Sequence, residues 1–115
     1  MKPRNIKRYK KGDKMDMEKV GRLAKKIERE QIERLRGDNL GCQANIDNAK
    51  TSIKEGKKYT KVDVGNSGKY MVDNEGNIYG IKAYGVIHRG HWFGTLDTIE
   101  DYYWGRYTAY RKEGQ

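Results

Sequence analysis

The stretch "VIHRGHWFG", residues 86–94, holds both histidines of the chain, His88 and His91, on either side of an Arg-Gly pair. If Arg89-Gly90 is the two-residue loop of a hairpin, the imidazoles flank it and face each other on one side of the ribbon. Arginine is a poor first residue for such a turn, so a four-residue loop that frees both rings is the competing geometry. Neighbouring imidazoles suit several chemistries. Zinc requires three or four protein ligands; Asp97 and Cys42 are available, but no spacing selects either, and no metal site is assigned. With Asp97 or Asp101 the pair resembles an acid–base nuclease, one ring taking a proton and the other giving it. The plainest role is that of structural or surface histidines; the other is ligand contact without chemistry, with Arg89 at the tip reaching a phosphate. The chain is therefore read as non-enzymatic and cofactor-free, with His88 and His91 as its weak catalytic candidates.

Phosphate binding is the chemistry for which the sequence is better supplied. The formal net charge is +9 and the pI about 9.6, a balance that speaks of anionic partners rather than of fold. Residues 1–14, "MKPRNIKRYKKGDK", carry seven basic side chains and one acid. Such a segment buries too little to offset its ordering entropy. It reads as a flexible arm presenting Arg4, Lys7, Arg8, Lys10 and Lys11 to phosphates, with a solubilising tail and an anionic membrane surface as the alternatives. Further along, Lys19, Arg22, Lys25, Lys26, Arg29 and Arg36 fall on one face of a helical pattern, interrupted by Glu18 and Glu33. These cations either track phosphates or form an ordinary solvated face laced with Lys26–Glu30 and Arg29–Glu33 pairs. Near the C-terminus, "YYWGRYTAYRK" alternates like a strand, placing Tyr107 and Arg111 on one face; tyrosines interleaved with arginine are a means of holding single-stranded nucleic acid.

The elements that position these groups divide near Gly56. Residues 1–56 hold 16 Lys and Arg against 9 Asp and Glu, whereas 57–115 hold 9 against 7; 11 of the 12 aromatics lie in the second part. The expected organisation is an arm over 1–14, a helical segment over 15–56 and a small antiparallel β domain over 57–115. Met17, Val20, Leu23, Ala24, Ile27, Gln31 and Leu35 share a stripe roughly 120° wide, the signature of a long amphipathic helix. Asp13 or Asp16 caps its start, and Gly37 stands where a left-handed C-cap belongs. The narrow seam docks either on the second half of the chain or on another copy, which would give a homodimer through the helix. A weaker pattern through Ala44, Ile46, Ala49 and Ile53 predicts a short second helix over 43–54. Cys42 beside it reads as a small buried hydrophobe.

After Gly56 the hydrophobic period changes to two. "KYTKVDV", "KYMVD", "NIYGIKAY", "VIH", "HWFGTLD" and "YYWGRYTAYRK" give five or six short antiparallel strands, with Gly76 in the left-handed position of a hairpin loop. The fold class is α+β, with a bent sheet or small barrel whose core draws on Trp104, Trp92 and Phe93. The lone cysteine cannot form an internal disulfide, no signal peptide is evident and no apolar run approaches bilayer length. A reducing, cytoplasmic setting is the expectation.

The segments "GKYMVD", "IYGIKAYGVIH" and "GTLDTI", within residues 58–99, resemble a core shared by small bacteriophage-encoded proteins of no assigned activity. The resemblance covers about a third of the chain and excludes the basic N-terminal half. It implies a viral or mobile-element origin and an intracellular role, and brings no site residues with it. The resulting expectation is a phage-type accessory protein that binds RNA or single-stranded DNA without catalysis. A protein-binding modulator of a host or phage complex is the alternative, and a histidine-dependent nuclease the third reading.

Overall fold

The structure, a computed structural model, describes residues 16–106 and 109–112. The arm cations Arg4, Lys7, Arg8, Lys10 and Lys11, and Tyr107, lie outside them. Helix α1 (Met17–Gly37) is followed by the short α2 (Gln43–Asp47). A five-stranded antiparallel meander then runs in the order β1 (Thr51–Lys54), β2 (Tyr59–Val64), β3 (Ser67–Asp73), β4 (Asn77–Ala83), β5 (Val86–Thr95). A 3₁₀ turn at Ile99–Asp101 leads to a two-stranded sheet of β6 (Tyr102–Tyr103) and β7 (Tyr110–Arg111). The α+β class holds, as an open sheet in which β1 and β5 form the edges.

The seam of α1 is satisfied within the chain. Val20, Leu23 and Ile27 are fully buried against Val62, Tyr70, Val72 and Ile78 on one face of the sheet, and Phe93 and Trp104 complete the cluster. This contact covers the centre of the apolar stripe within the chain, the first of the two dockings the sequence allowed. Asp16 caps the helix, its carboxylate accepting from the Lys19 N–H at 3.2 Å. At the other end the left-handed residue is Asn39 (φ 64°), two beyond Gly37. The Leu40 N–H donates to the Leu35 carbonyl at 2.7 Å and the Asn39 N–H to that of Arg36 at 3.2 Å, the paired bonds of a Schellman stop. Asparagine tolerates that backbone region almost as glycine does, so the helix continues through Gly37.

The second helix is shorter than its pattern suggests. Residues 43–47 are helical, but 51–54 form the edge strand β1, with Ile53 opposite Val62. The spacing Ile46–Ala49–Ile53 imitates a helix, yet β-branched Thr51 and Ile53 fit a ladder well. The Thr51 N–H also donates to Glu28 of α1 at 2.9 Å, tying the strand to the helix. Cys42, expected inside, is exposed at the start of α2, because α2 buries none of its own residues and offers no core to enter.

The C-terminal run is not one strand. Trp104 is fully buried between β6 and β7, and its indole N–H donates to the Ile99 carbonyl at 2.9 Å. The chain there turns back to meet α1: the Glu30 carboxylate accepts from the Trp104 N–H at 2.8 Å, and the Gln31 amide donates to the carbonyls of Trp104 and Arg106 at 3.0 and 3.1 Å. Trp92, expected to share the core, is half exposed instead.

Candidate nucleic-acid interface

The histidines are neighbours, but no hairpin tip brings them together. Strand β5 runs continuously from Val86 to Thr95, and the turn that starts it is Tyr84-Gly85. Arg89-Gly90 is a bulge inside that strand: Tyr79 and Gly80 on β4 face Trp92 and His88, leaving residues 89–91 without partners in the ladder. Extra residues on one strand bend it and re-aim side chains. Here they fold His91 back onto His88, with ring centroids 3.9 Å apart and planes within 6°. Gly80 makes room, since a Cβ there would meet His91 Cβ at 3.1 Å and Phe93 at 3.3 Å. Among the described residues neither ring hydrogen-bonds a carboxylate, the buried His88 Nδ1 has no partner, and no group of three metal-ligating side chains gathers. The proposed third ligands do not converge: Cys42 is exposed, and Asp97 pairs with Lys19 at 2.6 Å.

The helical cations divide into two sets. Arg22, Lys25 and Arg29 are exposed, as is Arg36. Lys26 departs from expectation: it is 4% exposed, with its ammonium 2.9 Å from both Glu30 and Glu100. On the helical wheel Lys26 and Glu30 flank Leu23, so the C-terminal segment that closes over the seam covers them too. Burial pulls the Lys26 pKa down, but the hydrogen bonds and charges of Glu100 and Glu30 outweigh it and hold the group above its usual range. An ammonium so enclosed is a structural tie, unavailable to a phosphate. Lys19 is likewise engaged, by Asp97.

A different surface collects cations, with Lys54 and Arg89 exposed and Lys61 half-buried. In an antiparallel ladder, directly opposed residues share a face. Lys54 faces Lys61, Lys61 faces Met71, Met71 faces Tyr79 and Tyr79 faces Trp92. This row crosses the sheet on the side away from α1, with Tyr59 two residues from Lys61 on the same side. Arg89 reaches back along the row from the bulge: its guanidinium lies over the Tyr79 ring, 5.4 Å from the centroid, and donates to the Tyr59 hydroxyl at 2.5 Å. Lys54 and Lys61 lie 5.5 and 5.4 Å from the centroid of the Tyr84 ring. Contact with the Tyr84 hydroxyl, aided by the charge of Asp63, raises the Lys54 pKa. Asp63 and Asp73 also reach this face by register, each hydrogen-bonded to neutral donors, with Asp63 Oδ1 left without a partner. Asp63 is buried and accepts from the Tyr84 hydroxyl at 3.3 Å, and Asp73 accepts from the Glu75 and Asn77 N–H groups of the β3–β4 turn. Trp92 projects here as well, its indole N–H donating to the Asn77 side chain at 3.1 Å.

Of the residues the sequence singled out, Arg89 joins this surface, while Arg22, Lys25 and Arg29 form a separate exposed set on α1. Arg111 is exposed on the small β6–β7 sheet. Sequence reasoning missed Lys54, Lys61, Tyr59, Tyr79, Tyr84 and Trp92 as a group. The signal was present in "KYTKVDV", where Tyr59 and Lys61 alternate with buried Thr60 and Val62; sorting cations by half of the chain concealed what sorting them by strand face reveals. No family model, curated protein or solved structure matches the chain.

Proposed function

We propose that this chain is a small, non-catalytic nucleic-acid-binding protein that holds RNA or single-stranded DNA through its phosphates. The observation that carries this reading is the outer face of the sheet, where the three cations Lys54, Lys61 and Arg89 stand among Tyr59, Tyr79 and Tyr84 and outnumber the two carboxylates there, Asp63 and Asp73. Arg22, Lys25 and Arg29 on α1, on the other side of the sheet, and the basic residues 1–14 add to the positive charge that draws an anionic polymer to the chain. The resemblance to phage-encoded proteins fits an accessory role inside a host cell, in the cytoplasm.

The test is fluorescence anisotropy with labelled RNA and single-stranded DNA over a salt series. Each phosphate contact contributes about 0.7 to the slope of log K against log salt for single strands. Replacing Lys54, Lys61 and Arg89 together by alanine therefore flattens the slope by about 2. Absence of binding at low salt, or a slope unmoved by that triple variant, overturns the reading. Labelled RNA cleaved by the wild type and spared by His88→Ala would replace it with nuclease chemistry. A second reading, a module that binds a host or phage protein, is favoured by the exposure of Tyr84, Val86 and Trp92 along the β4–β5 hairpin, because aromatic residues are enriched at binding hot spots. Capture of a partner that survives nuclease treatment would favour it.

A further inference from the structure

We infer that the outer sheet face grips unpaired bases as well as phosphates, with the Trp92 indole and the Arg89 guanidinium as two adjacent stacking surfaces. The inference rests on the nucleic-acid reading and narrows its ligand to single strands. The chain has two tryptophans with opposite fates: Trp104 is wholly buried, whereas Trp92 is 51% exposed. The exposed ring is held in place, since its edge N–H is bonded to Asn77. Arg89 is held similarly, by the Tyr59 hydroxyl and the Tyr79 ring. Tethered in this way, each planar group loses little further freedom when a base covers it, which lowers the cost of binding.

The two surfaces are neighbours. Tyr79, which carries the Arg89 guanidinium, is the direct ladder partner of Trp92, so their strands lie about 4.8 Å apart. Lys61 stands in the same row two strands beyond Tyr79, about 10 Å away, where it can meet the backbone of a strand whose bases sit on Trp92 and Arg89. Indole and guanidinium planes both stack on bases without regard to sequence. A duplex keeps its base faces inside and offers these surfaces only phosphates. The partner this face fits is therefore an anionic chain with accessible flat rings, which distinguishes a single strand from a duplex and from an acidic peptide.

The experiment compares a single-stranded DNA of about a dozen nucleotides, a length within the range one small β domain covers, with the duplex of the same sequence. Tryptophan fluorescence is read beside anisotropy, because a ligand on this face quenches Trp92 and leaves buried Trp104 unchanged. The expected result is quenching by the single strand that is lost in Trp92→Ala, together with an affinity loss of about 5- to 150-fold in that variant. Arg89→Lys, which keeps the charge but not the plane, weakens the single strand more than it weakens the duplex. Far-UV circular dichroism confirms that both variants fold. Tight single-strand binding that is indifferent to Trp92→Ala, or equal affinity for the duplex, overturns the stacking inference and leaves phosphate binding standing. Failure of both oligonucleotides to bind the wild type at low salt overturns the parent reading as well. A dimer in sedimentation that Trp92→Ala dissociates would assign the face to a second copy and overturn the inference.

Discussion

The helix and the outer sheet face both carry lysine and arginine, yet the fold uses the two sets differently. On α1, Lys26 becomes an internal tie between Glu30 and Glu100, and Lys19 bridges to Asp97. On the sheet, Lys54, Lys61 and Arg89 lie against tyrosine rings and remain at the surface. The first half of the chain, with its larger charge excess, devotes part of that excess to holding the C-terminal segment in place. Most of the outer face comes from the nearly neutral second half, which concentrates a few cations on one surface. Net charge per segment is thus a poor guide to charge per face, because a partner meets surfaces and not stretches of sequence.

The contrast can be broken most sharply at the two tryptophans. Trp104→Ala empties a fully buried site and is expected to cost about 3–5 kcal/mol in denaturant unfolding, whereas Trp92→Ala stays within about 0.5 kcal/mol. Equal costs would place both rings in the core and end their separate roles. Next in size is Lys26→Met, which leaves Glu30 buried without its cation and costs about 3 kcal/mol. Adding Glu30→Gln, which keeps the acceptor for the Trp104 N–H, recovers much of that loss. A Lys26 variant as mild as a surface substitution would return this residue to the solvated helix face.

Alkaline pH sharpens the same distinction. Burial raises the Tyr70 pKa although the Ala109 backbone opposes it, and the Lys26 pKa is also raised. A group whose folded pKa lies above its unfolded value stabilises the fold below that unfolded value, and the contribution fades as pH climbs toward the folded pKa. Stability is therefore expected to decline above about pH 10, followed by thermal melts, and Tyr70→Phe reduces the decline. A flat profile from pH 9 to 11 would count against both burials. A small effect is also expected of Asp97→Asn, which breaks the exposed pair with Lys19 and costs less than about 1 kcal/mol in denaturant unfolding.

Much of the architecture is legible in the sequence. The seam Val20–Leu23–Ala24–Ile27 and the period-two runs of the second half are local patterns, and the helix and most strands follow them. The errors came where a local pattern met a stronger non-local partner. Thr51–Lys54 reads as the end of a helix but pairs with residues 61–64 of β2. The run from Tyr102 reads as one strand, but Trp104 is drawn into the core and splits it. Arg89-Gly90 resembles a turn and is a bulge, because Gly85 supplies the positive φ of 80° that the real turn uses.

What the sequence determined by itself is the class: one long amphipathic helix, short antiparallel strands and an excess of positive charge, all properties of neighbouring residues. The tertiary structure alone decided which cations face solvent and which tryptophan is buried. Both depend on strand register and on the C-terminal segment folding across α1 some 70 positions away in the chain, as the hydrogen bonds that the Trp104 N–H donates to Glu30 and the Trp104 carbonyl accepts from Gln31 show. Pairings over that separation arise from packing the whole chain at once, and no local periodicity encodes them.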